Sequence, residues 1–149
     1  MGLFIEDLLN FGNLIDAEIE IKLSPVELKK AYPIFDFDIR DGILSIKIKK
    51  KILFLEKTKE VRLSCMDIVV KKEGNKQWIF LKRLSQEDFE ELLKESFLLE
   101  GERLGIDVMP AVVHTETYQK IPKQFKDKLL INRCKIGIEY LSVLFKFEK

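Results

Sequence analysis

The chain has 149 residues, 46% of them hydrophobic and 34% charged, a globular composition that excludes a disordered chain, and its apolar runs are too short to cross a bilayer, so no transmembrane segment is expected. Lys and Arg number 26 against 25 Asp and Glu, which leaves no basic excess for binding a phosphate backbone and argues against nucleic acid as a partner. One domain spanning residues 1–149 is expected, without a stretch of linker composition.

The chain starts with an apolar segment carrying Glu6 and Asp7, where a secretory leader would need positive charge, and Glu6 stands where a myristoylation signal needs Ser or Thr. Leu3, Phe4, Ile5, Leu8, Leu9 and Phe11 recur at helical spacing before Gly12-Asn13, predicting a short amphipathic helix. Its acidic polar face argues for packing on the protein rather than on a membrane. Ala17, Ile19, Ile21 and Leu23 then alternate with Glu18, Glu20 and Lys22, the period of a strand with one wet face. Ser24 and Glu27 form a capping box with Pro25 at the first helical position, and Pro33 limits that helix to about two turns.

Phe35, Phe37 and Ile39 alternate with Asp36 and Asp38, and Asp41-Gly42 is a hairpin turn into Leu44, Ile46 and Ile48. The even apolar register continues through Ile52 and Phe54, predicting one strand from Ile43 to about Leu55, followed by a polar turn over Glu56 to Glu60. Val61, Leu63 and Cys65 lie in odd register and Met66, Ile68 and Val70 in even register, a slip of the kind a β-bulge produces. A turn at Glu73-Gly74-Asn75 leads to a strand with Trp78 and Phe80.

Ser85 and Asp88 cap a long helix with Phe89, Leu92, Leu93 and Phe97 on one stripe. Ile106 to Thr117 reads as an extended edge segment interrupted by Pro110. A short helix follows over Lys123 to Lys128, then a long final strand from Cys134 to Phe147 with a second slip near Leu141. Two bulges in long strands bend a sheet. The expected fold is therefore α+β: a strongly curved, mostly antiparallel sheet of about six or seven strands, a partial barrel around a long central hairpin, with one long helix and two or three short ones.

No catalytic, nucleotide or cofactor motif stands out, and neither a cofactor nor a catalytic residue is assigned. Asp36, Asp38 and Asp41 could offer hard oxygen ligands to a cation, but alternation and turn chemistry already account for them, and no metal is expected. His114, the sole histidine, with Glu116 nearby, has a plain account as a surface residue. Cys65 and Cys134 sit in apolar runs and read as buried free thiols, which fits a reducing cytoplasm. Lys47, Lys49, Lys50, Lys51, Lys57, Lys59 and Arg62 crowd the central hairpin, a basic ribbon that suits anionic lipid headgroups or an acidic protein and equally protects a strand edge. Glu87, Asp88, Glu90, Glu91 and Glu95 make the start of the long helix acidic, as its dipole favours.

Eleven phenylalanines is a high number for this length. A curled sheet closed by one helix would leave a cavity lined by Phe35, Phe37, Phe54, Phe80, Phe89, Phe97 and Phe145, and the expected role is a non-catalytic domain holding a hydrophobic or lipid-like small molecule there. The alternative is a protein interaction module or homodimer that uses the Pro110 edge, the amino-terminal helix or the basic hairpin and holds no small molecule.

Overall fold

A computed structural model describes residues 18–73, 76–84 and 97–147. Strand β1 (Ile19–Leu23) buries Ile19, Ile21 and Leu23 and leaves Glu20 and Lys22 outward, as strict alternation requires. Ser24 then caps α1 (Pro25–Ala31): its backbone N–H donates to the Glu27 carboxylate at 2.8 Å, and its hydroxyl oxygen accepts from Val26 N–H at 3.3 Å. Leu28 is the buried anchor of this helix. Just beyond it, the buried Tyr32 hydroxyl donates to the Asp107 carbonyl, tying the helix end to a distant strand.

Strands β2 (Asp36–Arg40), β3 (Ile43–Ile52) and β4 (Leu55–Glu73) form an antiparallel meander, and β5 (Lys76–Arg83) returns along the far half of β4, with Glu73 opposite Lys76. The β4–β5 ladder is interrupted between Ser64 and Val69, where four β4 residues stand opposite the single residue Leu81. Arg103, from β7 (Arg103–Asp107), ties down this bulge by donating to the Asp67 carbonyl at 2.6 Å and to its carboxylate at 2.9 Å. Strand β6 (Phe97–Glu100) pairs with β7, completing a sheet ordered β2-β3-β4-β5-β7-β6. Gly105 of β7 lies directly beneath the Phe80 ring, where a Cβ would come within 2.6 Å of a ring carbon.

Three short helices follow: α2 (Met109–Val112), α3 (Glu116–Gln119) and α4 (Lys123–Lys126). The chain then forms the hairpin β8 (Leu129–Ile136) and β9 (Leu141–Phe147), which joins β1 in a second sheet ordered β1-β9-β8. Buried residues from both sheets, among them Ile21, Leu44, Leu63, Ile79, Val143 and Phe145, belong to one apolar cluster. Buried Gln77 stitches the two sheets: its side-chain amide donates to the Leu129 carbonyl at 3.0 Å and accepts from Ile131 N–H at 2.5 Å, standing in for a ladder partner of β8.

Several expectations are corrected. The sheet is neither strongly curled nor closed. Its edges among the described residues are β2 and β6, and the terminal hairpin that could have extended it pairs with β1 instead. The length of β4 offsets its neighbours rather than wrapping the sheet, because β3 runs along Leu55–Ser64 while most of β5 pairs beyond the bulge. The expected slip near Leu141 is a hairpin turn, Gly137 to Tyr140, closed by Gly137 N–H donating to the Tyr140 carbonyl at 2.8 Å. Pro110 starts helix α2 rather than interrupting an edge strand, since a proline in the first turn of a helix gives up no hydrogen bond. The expected turn over Glu56 to Glu60 is strand, and the chain reverses earlier, at Leu53-Phe54.

The long helix from Ser85, with Phe89, Leu92 and Leu93, lies outside the described residues, as does the helix from Leu3 to Phe11. Phe97, expected on the long helix's stripe, opens β6 instead. Among the described residues the longest helix has seven residues, and none is long and apolar enough to cross a membrane.

Candidate functional site

The expected phenylalanine lining does not gather in one place. Phe35, Phe37 and Phe97 meet around Tyr32, with ring centroids 5.7 Å apart for Phe35 and Phe97 and 4.9 Å for Tyr32 and Phe97. Phe37 is half-buried at the margin of this cluster, 6.5 Å from Phe35. Phe145 is buried opposite Ile19, and Phe80 is buried against Gly105 with the Lys71 ammonium 5.2 Å from its ring centroid. Phe89 lies outside the described residues. Phe54 is fully exposed at 103%, because the chain reverses at that residue instead of carrying it into the interior.

The polar candidates are dispersed as well. Asp36 pairs with Lys29 at 3.1 Å and Asp38 with Arg40 at 3.3 Å, while Asp41 forms the turn. No three His, Cys, Asp or Glu side chains converge as metal ligands among the described residues. His114 and Glu116 are exposed around α3. Burial pushes the Cys65 thiol up to about 11; burial, reinforced by the neighbouring Cys65, pushes Cys134 up to about 12. Both are free thiols that stay protonated at neutral pH, which withholds the thiolate a nucleophile needs. An open cleft of about 200 Å³ beside Lys82, Arg83, Leu84 and Glu102 has a polar lining. The acidic run from Glu87 to Glu95 lies outside the described residues.

The hairpin of β3 and β4 is different in kind. Strand β2 accompanies β3 only as far as Lys47, and β5 joins β4 only from Leu63 onward. Between those limits the two strands ladder with each other and with no other described strand, Ile48 opposite Lys59 and Ile52 opposite Leu55, and at the base the Arg62 carbonyl accepts from Leu84 N–H at 2.8 Å. Side-chain alternation puts Leu44, Ile46, Val61 and Leu63 on one face, where all four are buried. Farther out that same face carries Lys50, Lys57 and Lys59. The ribbon therefore leaves the apolar core at about this point and continues as an arm.

At the end of the arm Leu53 is 91% exposed, Phe54 103% and Leu55 77%. Three consecutive large apolar side chains thus occupy a solvent-facing tip, whereas isolated exposed apolar residues are ordinary. Residues 49–59 behind and around this tip contain five lysines, Lys49, Lys50, Lys51, Lys57 and Lys59, and one acid, Glu56. Glu60, farther back, is engaged by Lys47 at 3.6 Å and Arg62 at 3.8 Å. Lys49 and Lys51 project from one face of the ribbon, and Lys50, Lys57 and Lys59 from the other. The lysines are visible in the sequence, but the even register that Ile52 and Phe54 continue reads as strand to about Leu55 and hides the reversal that exposes Leu53, Phe54 and Leu55.

The arrangement combines an apolar point, a cationic collar and a two-stranded stem. A scan against protein-family models finds no match, and no significant match is found among curated proteins or solved structures.

Proposed function

We propose that the chain is a non-catalytic binding module whose contact element is the β3–β4 arm. The observation that carries this reading is the exposed triplet Leu53, Phe54 and Leu55 at the end of a ribbon that ladders with no other described strand. A two-stranded ribbon is marginally stable alone, and bare apolar side chains gain nothing from water. An element built against both tendencies has its reason in what it touches. Site-specific photo-crosslinking from position 54 in expressing cells tests the reading: adducts are expected there and not from Glu139, an exposed control in the β8–β9 turn. Absence of any adduct at position 54 overturns it.

A hydrophobic small molecule held against the protein is the second reading. It is favoured by the half-buried Phe37 at the margin of the Tyr32, Phe35 and Phe97 ring cluster. Solvent extraction and native mass spectrometry of the purified chain test it, and a chain that carries and takes up no apolar ligand removes it.

A further inference from the structure

We infer that the surface met by the arm is an anionic lipid bilayer, an inference that rests on the arm being the contact element. Two features of the arm select this partner. The first is the arrangement of charge: lysines stand on both faces of the ribbon, Lys49 and Lys51 on one and Lys50, Lys57 and Lys59 on the other, so that they ring the stem. A protein groove reads one face of a strand pair through alternate side chains. A flat lipid surface entered end-on instead meets every side of the stem at once, and a ring of cations suits it.

The second feature is depth. Lys51, Lys50 and Lys49 lie one, two and three residues behind Ile52. At about 3.4 Å per residue this sets these three, with Lys57 opposite Lys50, roughly 3–10 Å behind the last paired rung, and Lys59, opposite Ile48, at about 14 Å. Interfacial elements bury their apolar side by about 5–10 Å into the boundary between headgroups and acyl chains. With Leu53, Phe54 and Leu55 at that boundary, the lysine ammonium groups reach headgroup phosphates and carboxylates, and their flexible stems let them adjust. A bilayer also accepts three bulky side chains without a shaped pocket. Nucleic acid fits less well: the arm's sole arginine is Arg62 at its base, none lies between Ile48 and Glu60, and the whole chain is charged only +1.

The test uses the full chain and flotation with vesicles of phosphatidylcholine, alone or mixed with phosphatidylserine. Anionic vesicles are expected to bind at least about tenfold more tightly than neutral ones, with roughly a fivefold loss for each of Lys49, Lys51 and Lys57 changed to Gln. Replacing Leu53, Phe54 and Leu55 together by Ser is expected to abolish flotation while circular dichroism and the unfolding midpoint stay unchanged. A separate Phe54→Trp chain reports insertion: its emission shifts to the blue with anionic vesicles, over a constant background from buried Trp78. Flotation that persists in the triple-Ser variant assigns lipid contact to another segment and overturns the inference. So does preference for a DNA duplex, or the absence of any vesicle binding by the intact chain. If protein adducts form from position 54 and vesicles are not bound, the lipid inference falls while the binding-arm reading stands.

Discussion

Strand β3 is entered and left through two-residue turns that share a positive φ at the first residue and differ in the side chains asked to adopt it. Asp41 and Gly42, at the core end, take φ of 52° and 76°. Glycine reaches such angles without steric conflict and aspartate is among the side chains that tolerate them, so this is the chemistry a tight hairpin asks for. The Gly42 carbonyl also accepts from Cys65 N–H at 2.8 Å, binding the turn to the body. Leu53 and Phe54, at the far end, bend the chain with Leu53 at φ 59°, a conformation that opposes a bulky side chain by about 1–2 kcal/mol. One turn agrees with its surroundings at every level, whereas the other combines unfavourable backbone geometry with apolar exposure. Among the described residues this turn alone combines a positive φ at a bulky side chain with apolar exposure, and a disagreement of that kind is where function is to be sought.

The contrast makes opposite demands on mutants at the two ends. Leu44→Ala, in the buried base of the hairpin, is expected to lower stability by about 2–5 kcal/mol through lost burial and a residual cavity. Phe54→Ala, at the tip, is expected to change stability by no more than about 0.5 kcal/mol, since a fully exposed ring has no packing to lose. Urea unfolding of both variants measures the difference; comparable losses would mean that the tip is packed in solution. At the turns themselves the signs should reverse. Gly42→Ala introduces a Cβ at φ 76° and is expected to destabilise by about 1 kcal/mol, although its nearest neighbour, Met66 Sδ, leaves room at 3.7 Å. Leu53→Gly relieves the same kind of conflict and is expected to stabilise by about 0.5 kcal/mol, the remainder being offset by glycine's added freedom in the unfolded chain. Thermal unfolding of this pair decides whether Leu53 is there for the fold.

The same contrast explains which parts of the fold the sequence disclosed. The capping box of Ser24 and Glu27, the Asp41-Gly42 turn and the alternation from Ile19 to Leu23 each pair a local signal with a local structure, and all three are present. The register slip around Cys65 was also legible, because a buried row that changes phase leaves its mark in the apolar pattern. What misled was periodicity without punctuation. Ile52 and Phe54 continue an even register straight through a reversal, which places the first turn too late, at Glu56 to Glu60, and Ile136, Ile138 and Tyr140 do so through another, so that the β8–β9 hairpin reads as one strand. Two-residue turns normally announce themselves by Gly, Asn or Asp, and Leu53-Phe54 gives no such notice. The unannounced turn is therefore the candidate site itself. Gln77 illustrates a different limit, since its bonds to Leu129 and Ile131 bring together residues 52 and 54 positions apart, which no local pattern encodes.

The smallest effect expected is also the one that separates a contact element from a passive loop. Lys50 and Lys57 stand directly opposite each other in the β3–β4 ladder. Like charges so placed oppose pairing, and opposite charges support it, by about 0.2–1 kcal/mol. Lys57→Glu is therefore expected to slow hydrogen exchange of the arm amides between Ile48 and Glu60 a fewfold, while the exchange of Leu44 and Leu63, in the buried base, is unchanged. The same substitution reverses one charge of the collar and is expected to weaken binding to phosphatidylserine vesicles more than tenfold, at about 1 kcal/mol per charge removed or added. Stability and binding would thus move in opposite directions from one exposed side chain. A solvated lysine face with no partner predicts the first change without the second, so a steadier arm that still binds vesicles undiminished would show the collar to be ordinary surface.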